Sequence, residues 1–169
     1  MEETTLLETA RFRVAEVRHP DFPPKAVVRH PGAVAIIPML EDGNVCLIKN
    51  FRIATGRQLT EIPAGTLEPG EQPLKTAKRE LAEETGYEAA SWREISPPFF
   101  VSPGIMDERM YLFLAEDLTP GTPRLEPDER IENQVVSFAD ALEMIRLGEI
   151  CDAKTIVGLL TYATFFAGE

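Results

Sequence analysis

Apolar residues fall into short blocks separated by turn-forming residues, and the period of the blocks changes along the chain. Residues 6–18 carry a partly alternating pattern, and 26–29 read as a second short strand, with Asp21-Phe22-Pro23-Pro24 as the turn between them. Two nearly continuous apolar runs, 33–40 and 45–51, flank Asp42-Gly43-Asn44, which predicts a β-hairpin. A short strand over 58–62 leads into Pro63-Ala64-Gly65. The period then becomes helical: Pro73 suits a first turn, Gly86 suits the left-handed position past a helix end, and Leu74, Ala77 and Leu81 form an inward face. Strands are expected at 92–95, 110–116 and 134–137, with loops at 97–108 and at the Pro-rich, polar stretch 120–128. Ser137 with Asp140 caps a helix ending at Gly148, and Asp152 caps a last helix over 153–167. Strands early and helices late favour an α/β fold, a mixed sheet flanked by helices.

The helix between Pro73 and Gly86 carries the candidate chemistry. Glu80 lies three residues before Glu83 and four before Glu84, so the three carboxylates share one side. Like charges at those spacings destabilise a helix and call for a cation. Arg79 reaches Glu83 at i,i+4, yet one guanidinium cannot neutralise three carboxylates. Donors that are all oxygen favour Mg²⁺ or Mn²⁺. A charge run is ordinarily a solvated face, and this one is flanked by Gly65, Glu71 and Gly86, which bear on the metal reading through a family resemblance.

Composition narrows the partners. A chain of 169 residues suffices for one domain with a sizeable core. A net charge of −11 argues against a nucleic-acid backbone or an anionic membrane surface, and an anionic substrate would need metal ions and local arginines to approach. Cys46 and Cys151 lack metal-ligand spacing, and Cys46 sits in an apolar run as a core residue would. The acidic start, Met1-Glu2-Glu3-Thr4-Thr5, is unlike a signal peptide, and no apolar run reaches membrane-spanning length. The expected setting is the cytoplasm.

The stretch from Gly65 to Tyr87 resembles the Nudix box: Gly, five residues, Glu, seven residues, Arg-Glu, an apolar residue, any residue, Glu-Glu, any residue, Gly and an apolar residue. Every required position matches. The resemblance implies an α/β/α sandwich with a mixed sheet over residues 31–169, preceded by an N-terminal β extension over 1–30 that builds a homodimer. It also implies hydrolysis of a nucleoside diphosphate linked to another moiety, with two or more Mg²⁺ ions. Glu80 and Glu84 would hold metal together with the main-chain oxygen of Ala64, Glu83 would assist catalysis, and Glu71 and Arg79 would orient the loop and helix. Asn50-Phe51-Arg52 resembles the Gln-Tyr-Arg segment of ADP-ribose pyrophosphatases, which makes Arg52 a phosphate ligand and places Glu61, at the head of the segment entering the box, with the substrate. Pro103 follows Tyr87 by 16 positions, an offset resembling the mark of that subgroup. Ser102, Pro103, Gly104, Asp107 and Glu108 would then wall the sugar pocket. Glu126, Asp128, Glu129 and Glu132 form a second acidic cluster, from which Glu129 or Glu132 would supply the base. The expected reaction converts ADP-ribose, or a similar nucleoside diphosphate sugar, to AMP and a sugar phosphate. The alternatives are GDP-mannose or dinucleoside polyphosphates as substrate, or an ADP-ribose sensor without turnover.

Overall fold

The computed structural model describes residues 1–127 and 129–168. In chain order its elements are β1 (Glu2–Glu8), β2 (Arg13–His19), β3 (Phe22–Arg29), β4 (Ala33–Pro38), β5 (Asn44–Arg52), β6 (Arg57–Glu61), β7 (Ala64–Thr66), α1 (Pro73–Thr85), β8 (Glu88–Glu94), β9 (Phe99–Phe100), β10 (Arg109–Thr119), β11 (Ile131–Ser137), α2 (Phe138–Leu147) and α3 (Ala153–Phe165). They form an α/β fold with three sheets, ordered β1-β2-β3, β7-β4-β10-β8 and β11-β5-β6.

The apolar run of β4 is continuous because both of its faces are covered. Ala33, Ala35 and Ile37 point into a core shared with β5, α2 and α3, while Val34 and Ile36 point the other way and pack on Ala77 and Leu81 of α1. β10 runs parallel to β4, pairing Leu112 with Ala35, and contributes to both cores in the same alternation. The result is the expected sandwich, a mixed sheet layer between α1 and the α2–α3 pair.

The expected β4–β5 hairpin does not form. Its turn is present, with the Gly43 N–H donating to the Leu40 carbonyl, but the strands share only the Met39–Val45 bridge before parting into different sheets. Both edges of β4 are already taken, by β10 and β7, and β5 is taken by β6 and β11. Two runs this apolar each need cover on both faces, and separate sheets provide it.

Five smaller departures are local. Residues 6–18 break at a Thr9 turn, closed by its side chain on the Phe12 carbonyl (2.7 Å). Phe22-Pro23-Pro24 lies inside β3 rather than in a turn, since an edge strand tolerates prolines with no N–H to give. Leu74 is exposed, so the inward face of α1 starts at Ala77, and α3 ends at Phe165, short of the expected 167. The 97–108 segment contains β9 and also hydrogen-bonds the N-terminal sheet, through the Val28 N–H to the Ile105 carbonyl (2.9 Å) and the Asp107 N–H to the Val28 carbonyl (3.1 Å).

Candidate metal and substrate site

α1 is held at both ends by its sequence. Pro73 occupies the first turn, and Gly86 caps the last turn in the left-handed region at φ 78°. Arg79 then gathers the acidic groups around itself. One guanidinium nitrogen donates to Glu80 Oε1 (2.7 Å) and Glu83 Oε2 (3.0 Å), and the other to Glu71 Oε2 (3.1 Å) and the Thr66 carbonyl (3.5 Å). This fastens the 66–71 loop to the helix.

Gly65 is required by close approach. A Cβ there would lie 1.9 Å from the Glu80 carboxyl carbon, so only a bare Cα lets Glu80 rest on the chain. Glu84 is buried, and one carboxylate oxygen accepts the Ala64 N–H at 2.9 Å. Burial pushes its carboxyl up to about 8; the negative charges of Glu80 and Glu129 add to this, while the Ala64 N–H and Arg52 oppose it. Glu80 is also held above the usual carboxylate range, again by burial first, with Arg79 pulling the other way.

Ala64, Glu80, Glu83, Glu84 and Glu129 line one cavity of about 500 Å³, with Arg52 and Arg11 on its walls. Among the described residues no three acidic, histidine or cysteine side chains are drawn together as they would be around a metal ion. The donors nevertheless fit a hard divalent cation as an open wall, because all are oxygens and two are carboxylates, Glu84 buried and Glu80 partly so, whose ionisation is penalised where they stand. Substrate phosphates and water would complete the cation's shell. A second groove, of about 330 Å³, lies beside Leu74, Trp92 and Tyr111 with Glu94 as its ionisable group, and it offers no comparable donor set.

Other residues singled out from the sequence stand differently. Arg52 spends its fork on Glu61, donating from Nε (2.8 Å) and Nη2 (2.6 Å), and Lys154 donates to the same carboxylate. Glu61 is fully buried beneath that pair and does not line the cavity, whereas Arg52 does. Glu132 is exposed on β11 opposite Lys49, outside the cavity, while Glu129 lies within it. Asp128 lies outside the described residues. Ser102, Pro103, Gly104, Asp107 and Glu108 are not in the cavity wall. Instead Asp107 accepts from the His30 N–H (2.9 Å) and Arg29 Nη1 (3.0 Å), and Glu108 sits 3.5 Å from His30 Nδ1, so this loop is fastened to the N-terminal sheet.

Sequence reasoning missed two contributors, Arg11 and Lys154. Arg11, on the β1–β2 turn, reaches Glu126 at 3.5 Å across the mouth of the cavity. Glu126 in turn donates its N–H to Glu129 Oε2 (2.9 Å). Lys154, in the first turn of α3, donates to Glu61 from 93 positions away, on the carboxylate that Arg52 also holds. Nothing local marks Arg11 or Lys154, since their partners are distant in sequence.

Carboxylates gathered over a backbone turn at the margin of a mixed sheet make a scaffold for divalent-cation chemistry on an anionic substrate. The sequence pattern of the NUDIX domain matches residues 29–156. The chain is 44% identical over 133 residues to an ADP-ribose pyrophosphatase of Bacillus subtilis (strain 168), covering 78% of this chain and 71% of that protein. It is 36% identical over 143 residues to a GDP-mannose pyrophosphatase of Shigella flexneri, covering 79% and 73%. A crystal structure of an ADP compounds hydrolase superposes with a TM-score of 0.79 at 21% identity, covering 99% of this chain and 96% of that one, which supports the fold. The chain belongs to the NUDIX domain family. Hydrolases of this family generally use divalent metal ions. Among the described residues, no helix is long and apolar enough to cross a membrane.

Proposed function

We propose that this protein hydrolyses the diphosphate linkage of ADP-ribose, or of a closely related nucleoside diphosphate sugar, to AMP and a sugar phosphate. The observation that carries the reading is the convergence of Glu80, Glu83, Glu84 and Glu129 on one cavity floored by Ala64 and Gly65. Glu80, Glu84 and the Ala64 carbonyl are the groups to hold two or more Mg²⁺ ions. Such ions, when bound, neutralise the diphosphate and make water a better nucleophile. Arg79 keeps Glu80 and Glu83 together, and Glu71 keeps Arg79 in place. Glu129, inside the cavity while Glu132 is not, is the better placed base.

The N-terminal sheet supports a homodimer. Leu6, Leu7, Phe12 and Phe22 are exposed, and only Ala15 of this sheet is buried, so residues 1–30 lack a core of their own. A second copy would cover them. The 102–108 loop rides on this sheet, and in such a dimer its sugar-recognition role would be exercised on the partner's cavity. Both cysteines are free thiols, in keeping with a reducing cytoplasmic setting.

The GDP-mannose pyrophosphatase relative supports the second reading, the same chemistry on another nucleotide sugar. The test is a substrate panel with Mg²⁺ in which released products are identified. ADP-ribose should give the highest kcat/KM, with ADP-hexoses slower and nucleoside triphosphates poor. A tenfold preference for GDP-mannose or a dinucleoside polyphosphate, about 1.4 kcal/mol, would overturn the substrate assignment. Binding of ADP-ribose with no product at all would favour a sensor.

A further inference from the structure

The cavity's acidic loop is fastened to α1 by two backbones in contact. A Cβ on Gly121 would lie 2.7 Å from the Gly86 carbonyl oxygen, and one on Gly86 would lie 2.8 Å from the Gly121 carbonyl oxygen and from Pro123. Glycine at 86 is explained by its left-handed φ of 78°, but Gly121 has no such need, since its φ is outside the left-handed region. What demands glycine at 121 is the approach itself.

Three residues beyond Pro123 and its clasp, the chain docks again at Glu126. Between them the Arg124 N–H donates to the Glu83 carbonyl at 2.8 Å, satisfying one of the last-turn carbonyls a helix leaves unpaired. Glu126 and Glu129 then close on each other, through the Glu126 N–H to Glu129 Oε2 (2.9 Å) and the Glu129 N–H to the Glu126 carbonyl (3.0 Å), with Glu129 facing Glu80 and Glu84. Four residues of chain therefore separate the Arg124 anchor from Glu129. A segment that short passes a shift at its anchor to its far end.

We propose that Gly121 is a positioning residue for hydrolysis: its bare Cα lets the 120–127 loop clasp the end of α1, and this sets Glu129 over the carboxylates of the helix. The inference rests on the reading of Glu129 as base given above. The methyl of Gly121→Ala meets backbone on the facing side, which cannot rotate away, so the loop must lift.

The test is kinetic and local together. Gly121→Ala should lower kcat by about 10–100-fold, as displacement of a reacting group by an ångström does, with KM within twofold. Thr122→Ala, an exposed neighbour, should match the wild type. In the Gly121→Ala/Glu129→Gln double variant kcat should be no lower than in Glu129→Gln alone, because both changes remove the same interaction. Amide exchange at Arg124 should quicken in Gly121→Ala. If Gly121→Ala does not fold, Arg124→Pro removes the neighbouring anchor's N–H without the methyl and should show the same loss of kcat. Wild-type turnover in Gly121→Ala, or losses that simply multiply in the double variant, would overturn the proposal. Wild-type turnover in Glu129→Gln would instead sink the base assignment, so the two failures are separable.

Discussion

Glu84→Gln should make the metal-free protein more stable at alkaline pH while destroying its activity. The Glu84 carboxyl is buried, with its pKa near 8 against an ordinary value of 4.5, so the folded chain holds a proton that the unfolded chain gives up. Stability then falls as pH rises from about 4.5 towards 8, and levels off once both states are ionised. One pKa unit corresponds to about 1.4 kcal/mol, so the penalty at pH 8 is at most about 5 kcal/mol, and relaxation of the site lowers it. Glutamine is neutral at every pH and keeps an oxygen for the Ala64 N–H, now 2.9 Å from Glu84. Urea unfolding in EDTA should therefore give nearly equal stabilities near pH 5. Near pH 8 the variant should lead by about 2–5 kcal/mol. Added Mg²⁺ should reverse the order by stabilising only the wild type, since a ligand that binds the folded state raises its stability by mass action. Turnover of the variant with saturating Mg²⁺ should fall by about 10²–10⁴-fold. Parallel stability–pH curves for the two proteins would refute the burial argument, and near-normal turnover would refute the metal-ligand assignment.

Gly65→Ala should leave the fold intact by circular dichroism yet cut kcat by about 10²-fold, because a Cβ 1.9 Å from the Glu80 carboxyl expels that group from the cavity; wild-type kcat would show that Glu80 does not need its seat. Arg52→Lys should cost about 1–3 kcal/mol in urea unfolding, since lysine cannot reproduce the two-pronged contact with buried Glu61, and should leave KM within twofold. A tenfold rise in KM at unchanged stability would restore Arg52 to the phosphate role its sequence context implies.

What the sequence disclosed and what it concealed divide by range. The α1 boundaries were legible because proline and glycine punctuate them, and the carboxylate cluster because i,i+3 and i,i+4 spacings are local geometry. Both late helices announced their caps: Ser137 accepts from the Asp140 N–H and Asp152 from the Thr155 N–H, as expected. The β4–β5 pairing was misread because a turn motif reports chain reversal only. Whether the reversed strands pair depends on which other strands claim their edges, and β10 lies about 70 positions downstream of β4. The same limit applies to Arg52. Its context suggested a phosphate, but the group that occupies it is Glu61 across a hairpin, which Lys154 of the last helix also meets.

The distribution of cations in the cavity gives these separate findings one physical sense. Each arginine on its wall already faces a carboxylate: Arg79 joins Glu71, Glu80 and Glu83, Arg52 joins Glu61, and Arg11 joins Glu126. None neutralises Glu84, which instead accepts a single backbone N–H at the bottom of the site. The protein's side chains thus stabilise the frame of the cavity and leave its floor electrostatically unfinished. In a chain of net charge −11, such a floor would repel an anionic diphosphate as it stands. A divalent cation changes both terms at once, offsetting the cost of ionising Glu84 and attracting the phosphates. Metal affinity, the stability–pH curve and turnover should therefore shift together in Glu84→Gln, whereas Arg52→Lys should move stability alone.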